Sequence, residues 1–166
     1  YADWPGSGND FGTSILNGKF AFGTGSLTVG DKTIQSTTSI DNNQWNHVVA
    51  TREKSTGTIS VYVNGTLENS LTTDNKESLT DQANILIGAN TIDSRYFKGQ
   101  IREVAVWTSA ISSDGVAALY NSGSPLSVLS DVGDYNSSSS VQGYWKLNDG
   151  SGLTAADASA SNNVGT

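Results

Sequence analysis

Alternating apolar and polar residues run through the first two thirds of the chain, interrupted by short stretches rich in Asn and Gly. The clearest case is HVVATRE (47–53), the turn KSTG and TISVYVN (58–64). In the second of these runs, three branched residues recur at every second position and therefore share one face of a strand: Ile59, Val61 and Val63. The pattern predicts a β-hairpin at the centre of the chain.

Other segments have strand-type patterns as well. LNGKFAFGTGSLTV (16–29) predicts two short strands joined by tight turns, and Asn64–Gly65 predicts a further turn into TLENSL. ANILIGAN (83–90) and GQIREVAVW (99–107) predict two more strands. The second is apolar on both faces, as expected of a covered central strand.

One helix is predicted, over SSDGVAALYNSG (112–123). A serine can cap its N terminus, apolar residues at helical spacing form one stripe, and Gly123 ends it. The polar, Ser-rich segment 126–142 predicts a linker or an ordered surface wrap. An aromatic strand, Tyr144 to Leu147, follows it.

The composition fits an all-β chain with many polar turns. Of 166 residues, 36% are hydrophobic and only 15% charged, with 18 Gly and 2 Pro. The formal net charge of -7 would repel a phosphate backbone, so a nucleic-acid partner is not expected. Without cysteine there is neither a disulfide nor a thiolate metal site. No apolar run reaches the roughly 18 residues that span a bilayer.

Three motifs carry a family resemblance: QWNHVVATREKSTGTISVYVNG, FKGQIREVAVWTSAISSDGVAALYNSG and YWKLNDGSGLTAADASASNNVGT. They resemble the laminin G-like jelly rolls of the concanavalin A-like lectin/glucanase group, whose domains carry a Trp-x-His-Val strand, a Tyr-Val-Asn-Gly hairpin and a Gly-x-Ile-Asp-Glu-Val strand before a short helix. The resemblance implies an all-β, concanavalin A-like jelly-roll sandwich with one short helix. Cys-free domains of this style resemble those of marine bacterial surface proteins and phage virion proteins.

The order of the motifs differs from that of the family, because the third resembles an opening strand yet stands last. We therefore expect a laminin G-like sandwich over residues 1–125 without its front strands, a Ser-rich linker or wrap over 126–142, and a strand and loop resembling a domain start over 143–166. A missing first strand leaves an unpaired sheet edge. We expect residues 143–147 to cover that edge, within the chain or, preferably, on a neighbouring subunit or repeat.

Catalysis is not expected. His47, the single histidine, begins a strand beside Trp45, where the family keeps a structural histidine, so we interpret it as structural rather than as a base or a metal ligand. Glycoside hydrolysis needs two carboxylates about 5 to 9 Å apart. Glu103 is the single carboxylate inside a convincing strand pattern, and it follows Arg102, which stands where the family often has Asp.

Sugar binding would rest on an exposed aromatic side chain beside hydrogen-bonding groups. Three tryptophans lie in strand motifs and are expected in the core: Trp45, Trp107 and Trp145. Trp4 precedes a Gly-rich loop and is the exposed candidate. Arg95 and Tyr96, in the loop TIDSRYF, form a second candidate pair.

Calcium is the one cofactor that the loops suggest, since it takes six to eight oxygen ligands. The best candidates are Asp149 and Asp157. The alternative is that these are turn residues bonded to their own backbone.

The sequence therefore predicts a non-catalytic recognition or adhesion module that binds a glycan or a cell-surface ligand, outside the cell or on a virion. The alternative is a structural decoration or assembly protein of a virion or surface layer, with its faces given to protein partners.

Overall fold

The computed structural model describes residues 8–79, 84–90 and 94–166. In chain order the elements are β1 (Phe11–Leu16), β2 (Lys19–Thr24), β3 (Lys32–Ser39), β4 (Val48–Glu53), β5 (Thr58–Val63), β6 (Thr66–Thr72), β7 (Ala89–Asn90), β8 (Arg95–Tyr96), β9 (Val104–Trp107), α1 (Ser113–Tyr120) and β10 (Val141–Trp145). The predicted all-β class with one short helix is confirmed.

Antiparallel hairpins build two three-stranded sheets, β1-β2-β3 and β4-β5-β6. Two of the connections are Asn-Gly turns, Asn17–Gly18 and Asn64–Gly65, in which both residues have positive φ. This is the geometry that Asn-Gly favours in tight hairpins, because Gly has no Cβ to clash in the left-handed region. The hairpin predicted at Asn64–Gly65 is confirmed. Of the two strands predicted over 16–29, only β2 forms, because the chain turns after Thr24 and residues 25–29 pair with no strand that the structure describes.

The two sheets pack face to face around a core that we call the inner core. Strands β2 and β3 contact β5, and β3 also contacts β6. Six buried side chains form this core: Phe20, Phe22, Ile34, Ile59, Val61 and Val63. The shared face predicted for the last three is therefore correct.

A second core, the outer core, lies on the opposite side of the β4-β5-β6 sheet. Alternation along β5 turns Tyr62 away from the inner core, and its hydroxyl lies 3.2 Å from Ser113 Oγ in α1. The outer core comprises nine buried residues: Val49, Tyr62, Ile111, Val116, Leu119, Val128, Tyr135, Val141 and Tyr144. Strand β5 is thus buried on both faces.

Helix α1 begins and ends with the expected caps. Ser112 Oγ accepts a hydrogen bond from Gly115 N at 3.1 Å. Asn121, at φ 43°, takes the left-handed C-cap conformation and donates its N–H to Ala117 O, so the helix ends at Tyr120, three residues before Gly123. The predicted helix is confirmed, with a slightly earlier end.

Glu68 of β6 joins the edges of the two sheets. Its Oε2 accepts the backbone N–H groups of Thr37 and Thr38 in β3, each at 2.8 Å. Asn69 adds a bond from its Nδ2 to the carbonyl of Gln35 at 3.0 Å. These side chains occupy backbone groups that would otherwise remain unpaired at the β3 edge.

The C-terminal part of the chain contributes to the outer core. Strand β10 pairs antiparallel with β9, and Val141 and Tyr144 are buried. In the Ser-rich segment before it, Tyr135 is fully buried and donates its hydroxyl to Val128 O at 2.8 Å. Within the single chain, β10 therefore covers β9, and pairing with a neighbouring copy stays a prediction.

Three further strand predictions were wrong in extent. The C-terminal strand, expected over Tyr144 to Leu147, runs from Val141 to Trp145. Of the strand expected over 83–90, only Ala89–Asn90 is formed, paired with Arg95–Tyr96, while Ile85 and Leu86 are 46% and 54% exposed. A strand needs a partner for its backbone groups, and within the described residues this segment has one for two residues only. Strand β9 begins at Val104, since Glu103 at φ 56° breaks the extended backbone. It is half-buried, not a covered central strand, and pairs in the described part of the chain with β10 alone.

We expect deletion of residues 141–166 to abolish stable folding. The deletion removes three buried side chains, Val141, Tyr144 and Trp145, which together contribute roughly 5 kcal/mol of burial free energy. Thermal unfolding and size-exclusion chromatography should show a chain that aggregates or melts far below the full-length protein. A truncated chain that remained monomeric and equally stable would contradict the role of β10 in the core.

Candidate functional site

Trp45 is 54% exposed, so its predicted burial in the core was wrong. It precedes β4 instead of lying within it, and no alternation therefore directs its ring into a core. The other two tryptophans follow the prediction. Trp145 is 7% exposed, and Trp107 packs partly buried against the outer core. An exposed indole ring is a common component of binding surfaces.

The loop that carries Trp45 is held by its own asparagines. Asn42 Oδ1 accepts hydrogen bonds from Gln44 N and from Asn46 Nδ2, both at 3.0 Å. Asn46 Nδ2 also donates to Gln44 O at 3.1 Å, and Asn46 Oδ1 accepts from Asn64 Nδ2 at 3.3 Å. The loop is thereby tied to the β5–β6 turn, and Trp45 is presented from a fixed backbone.

His47 follows this loop and packs against α1. Its ring stacks on Tyr120 of α1 at a centroid distance of 5.8 Å, and its backbone N–H donates to Asn64 Oδ1 at 2.9 Å. Burial lowers the pKa of His47, which favours the neutral ring. Nδ1 is buried without a hydrogen-bond partner among the described residues. This setting is that of a packing residue, in line with the structural interpretation of His47.

The guanidinium of Arg102 lies over the Trp45 ring, with Cζ 4.5 Å from the ring centroid. This is a cation–π contact. Arg102 is itself exposed, and Trp45 keeps its 54% exposure with the guanidinium in place. The pair is therefore an open surface of one aromatic ring and one permanent positive charge.

Glu103 anchors the backbone that carries Arg102. Its N–H donates to Lys146 O at 3.3 Å, and its Oε2 accepts a short hydrogen bond from the Tyr144 hydroxyl. Burial and the neighbouring Glu103 carboxylate raise the pKa of Tyr144, so this hydroxyl stays protonated as a donor. Glu103 thus holds a structural hydrogen bond to β10.

We call Trp45, Arg102 and the exposed amides of residues 42–44 the Trp45–Arg102 platform. An aromatic face can stack on the C–H groups of a sugar ring, while amides and a guanidinium donate hydrogen bonds to its substituents. Sequence reasoning missed this site because it assigned Trp45 to a strand. The available signals were the polar run DNNQ before Trp45 and an Arg at a position where related domains carry Asp.

The other predicted ligand-binding residues do not belong to this platform. Trp4 lies outside the described residues. Arg95 and Tyr96 form β8, where Tyr96 is 63% exposed, so an aromatic surface is available there too. A binding role for these three residues stays a prediction.

The two predicted calcium ligands occupy different environments. Asp157 is 9% exposed, and four hydrogen bonds reach its carboxylate: Oδ1 accepts from Tyr144 N and Ser159 N, and Oδ2 accepts from Ser159 Oγ and Asn163 N, at 2.7 to 2.9 Å. A metal ion would have to displace these donors. Asp149 is exposed. No group of three or more His, Asp or Glu in the described ranges is arranged to hold a metal ion. The arrangement does not favour calcium at Asp157, and calcium binding stays a prediction.

Comparison with known proteins places the fold. A family model described as the concanavalin A-like lectin/glucanases superfamily matches residues 2–117. The chain belongs to this superfamily. The match ends within α1, so much of the outer core and all of β10 lie beyond it. No curated protein matches the chain.

Two solved structures are similar to this member of the superfamily. A presumed carbohydrate-binding protein from Bacteroides ovatus is 19% identical, with a TM-score of 0.61 over 98% of this chain and 48% of its own. The chain thus spans about half the length of that protein. An S-layer domain-containing protein from Clostridium thermocellum is 26% identical, with a TM-score of 0.43 over 70% of this chain and 62% of its own. Among the helices of the described part, none is long and apolar enough for a membrane crossing.

We expect Asp157→Asn to destabilise the fold by about 2 kcal/mol at pH 7. The amide keeps one acceptor oxygen, and its NH2 group replaces the second oxygen and faces N–H or O–H donors that then have no acceptor. Desolvation opposes the charged form of Asp157, but its four hydrogen bonds outweigh this and lower its pKa. The carboxylate therefore stabilises the fold above about pH 4, the ordinary Asp value, and the contribution is lost as the pH falls through the lowered pKa.

Urea unfolding at a series of pH values checks this expectation, with the exposed Asp149→Asn as the matched control. The stability gap between wild type and Asp157→Asn should narrow as the pH is lowered from 6 toward about 2, and Asp149→Asn should follow wild type throughout. A gap that stayed constant with pH would contradict the role of the charged carboxylate.

Proposed function

We propose that this protein is a non-catalytic binding module that recognises a glycan through the Trp45–Arg102 platform. The observation that carries the proposal is the exposed Trp45 ring, fixed by the asparagine network and flanked by the Arg102 guanidinium. A preorganised aromatic surface loses little conformational entropy on binding, and most of its contact area is therefore realised as affinity.

Family and fold support a glycan as the ligand. The chain belongs to a superfamily named for lectins and glucanases, and it shares its fold with the presumed carbohydrate-binding protein of Bacteroides ovatus. A binding role is preferred over hydrolysis because three carboxylates of the described residues accept hydrogen bonds that stabilise the fold. Glu68 binds backbone N–H groups of β3, Glu103 binds the Tyr144 hydroxyl, and Asp157 closes the C-terminal loop.

A glycan-binding role fits a location outside the cell or on a virion surface, within a larger protein. A second candidate function is structural, as a decoration or assembly element of a virion or surface layer. Exposed apolar side chains on the segment around β7 and β8 favour this alternative: Ile85, Leu86, Tyr96 and Phe97. Such side chains suit contacts with a protein partner or a neighbouring subunit.

We expect Trp45→Ala to weaken glycan binding at least about tenfold, the equivalent of roughly 1.4 kcal/mol of lost stacking. Trp45→Phe should retain part of the affinity, and Tyr96→Ala serves as a matched loss of an exposed aromatic elsewhere. A glycan array followed by calorimetric titration of the best ligand measures the effect. Melting temperatures should change little, because the ring lies outside both cores. Full affinity in Trp45→Ala, or loss of affinity in Tyr96→Ala alone, would refute the platform as the binding surface.

Calcium remains a separate proposal at the loops of Asp149 and Asp157. If an ion binds the native state there, calcium chloride should raise the melting temperature and chelator should lower it, since a ligand of the native state adds stability by mass action. The shift should disappear in Asp149→Asn. An identical melting temperature with calcium and with chelator would remove the metal from this protein.

A further inference from the structure

Among the described residues, the Arg102 guanidinium has no hydrogen-bond acceptor and no carboxylate partner. It packs on the Trp45 ring. Arg52 provides a contrast within the same chain, since its Nη2 donates to the carbonyls of Asn75 and Glu77 at 3.0 and 2.7 Å. The donors of the Arg102 guanidinium are therefore available to a ligand.

Other charged residues near Arg102 and the Trp45 loop make contacts elsewhere. Glu103, the adjacent carboxylate, is engaged by the Tyr144 hydroxyl and accepts no hydrogen bond from Arg102. Lys146 supplies a second exposed cation, with Nζ 5.9 Å from the Tyr144 ring centroid and its carbonyl bonded to Glu103 N. Asp41 precedes the amide loop and accepts a short hydrogen bond from the Ser39 hydroxyl. The Lys146 ammonium thus lies over the Tyr144 ring, and the Arg102 guanidinium lies over the Trp45 ring.

We propose that the Trp45–Arg102 platform recognises a glycan whose bound sugar carries one anionic group, a carboxylate or a sulfate. The proposal rests on the function proposed above. The sugar ring stacks on the open part of the Trp45 ring, and the anion accepts two N–H donors of the Arg102 guanidinium. Two oxygens of one carboxylate or sulfate group can accept the two parallel N–H donors of a guanidinium, and such charge-assisted pairs are stronger than neutral hydrogen bonds.

The charge of the whole protein restricts the ligand further. The net charge of -7 repels a polymer with a charge on every sugar, and the Arg102 guanidinium cannot compensate many anions. At physiological salt the Debye length is about 8 Å, so a single anion in contact with Arg102 feels chiefly that contact. The platform is therefore suited to a sparsely charged acidic glycan and not to a densely sulfated polymer.

The test compares each acidic glycan with a neutral form of the same chain. A glycan array with sparsely carboxylated, sparsely sulfated, neutral and densely sulfated chains first identifies ligands. Carboxyl reduction or desulfation of the bound glycans then gives matched neutral partners, and the two chemical treatments distinguish a carboxylate from a sulfate. We expect wild type to bind the acidic form at least tenfold more tightly than its neutral form, and heparin more weakly than the sparse ligand.

Arg102→Gln should lose that preference, because binding of the acidic form should weaken about tenfold more than binding of the neutral form. Arg102→Lys should keep part of the preference, because it retains the charge without the fork. Lys32→Gln, which removes an exposed charge on β3, should behave as wild type.

Equal binding of acidic and neutral forms by wild type, or a preference that survives in Arg102→Gln, overturns this inference and leaves the glycan-binding function intact. Tightest binding to heparin overturns the restriction to sparse charge. Failure of every glycan to bind, or full affinity in Trp45→Ala, overturns the proposed function itself and the inference with it.

Discussion

The double-sided burial of β5 is the constraint on which the rest of this structure depends. Because side chains alternate along a strand, Ile59, Val61 and Val63 fill the inner core while Tyr62 enters the outer core. Neither core is complete without this strand. The sheet of β1, β2 and β3 packs on one side of it, and α1 with the C-terminal residues packs on the other.

The platform lies on two segments that are fixed by contacts with residues distant in the sequence. The Trp45 loop is tied by Asn46 to Asn64, at the end of β5, and by His47 to α1. The Arg102 segment is tied by Glu103 to Tyr144 of β10, which lies beyond the family match. The C-terminal strand therefore both completes the outer core and holds the segment that carries Arg102, so the same contacts complete the fold and support the proposed platform.

The carboxylates are the reason for which we prefer the proposed binding role over hydrolysis. Glu68, Glu103 and Asp157 each accept hydrogen bonds that hold a strand edge, the start of β9 or the C-terminal loop. A catalytic acid needs its carboxyl directed at a substrate and a tuned pKa, whereas hydrogen-bond donation to Glu68 and Asp157 outweighs desolvation and lowers theirs. These carboxylates thus contribute to structure, and the Arg102 guanidinium remains available for the anionic ligand that we propose.

Local patterns were sufficient to predict strand β2, the hairpins of β4–β5 and β5–β6, and the helix with its serine cap. These features depend on side-chain period, Asn-Gly turns and capping, which act within a few residues. Tertiary structure decided what long-range partners control. Ile85 and Leu86 have strand-type sequence yet form no ladder, Trp45 lies in a strand motif yet is exposed, and Arg102 meets that ring from 57 positions further along the chain. A periodic pattern specifies which face a strand would bury. Whether a partner strand or a packed neighbour covers that face depends on distant segments of the chain.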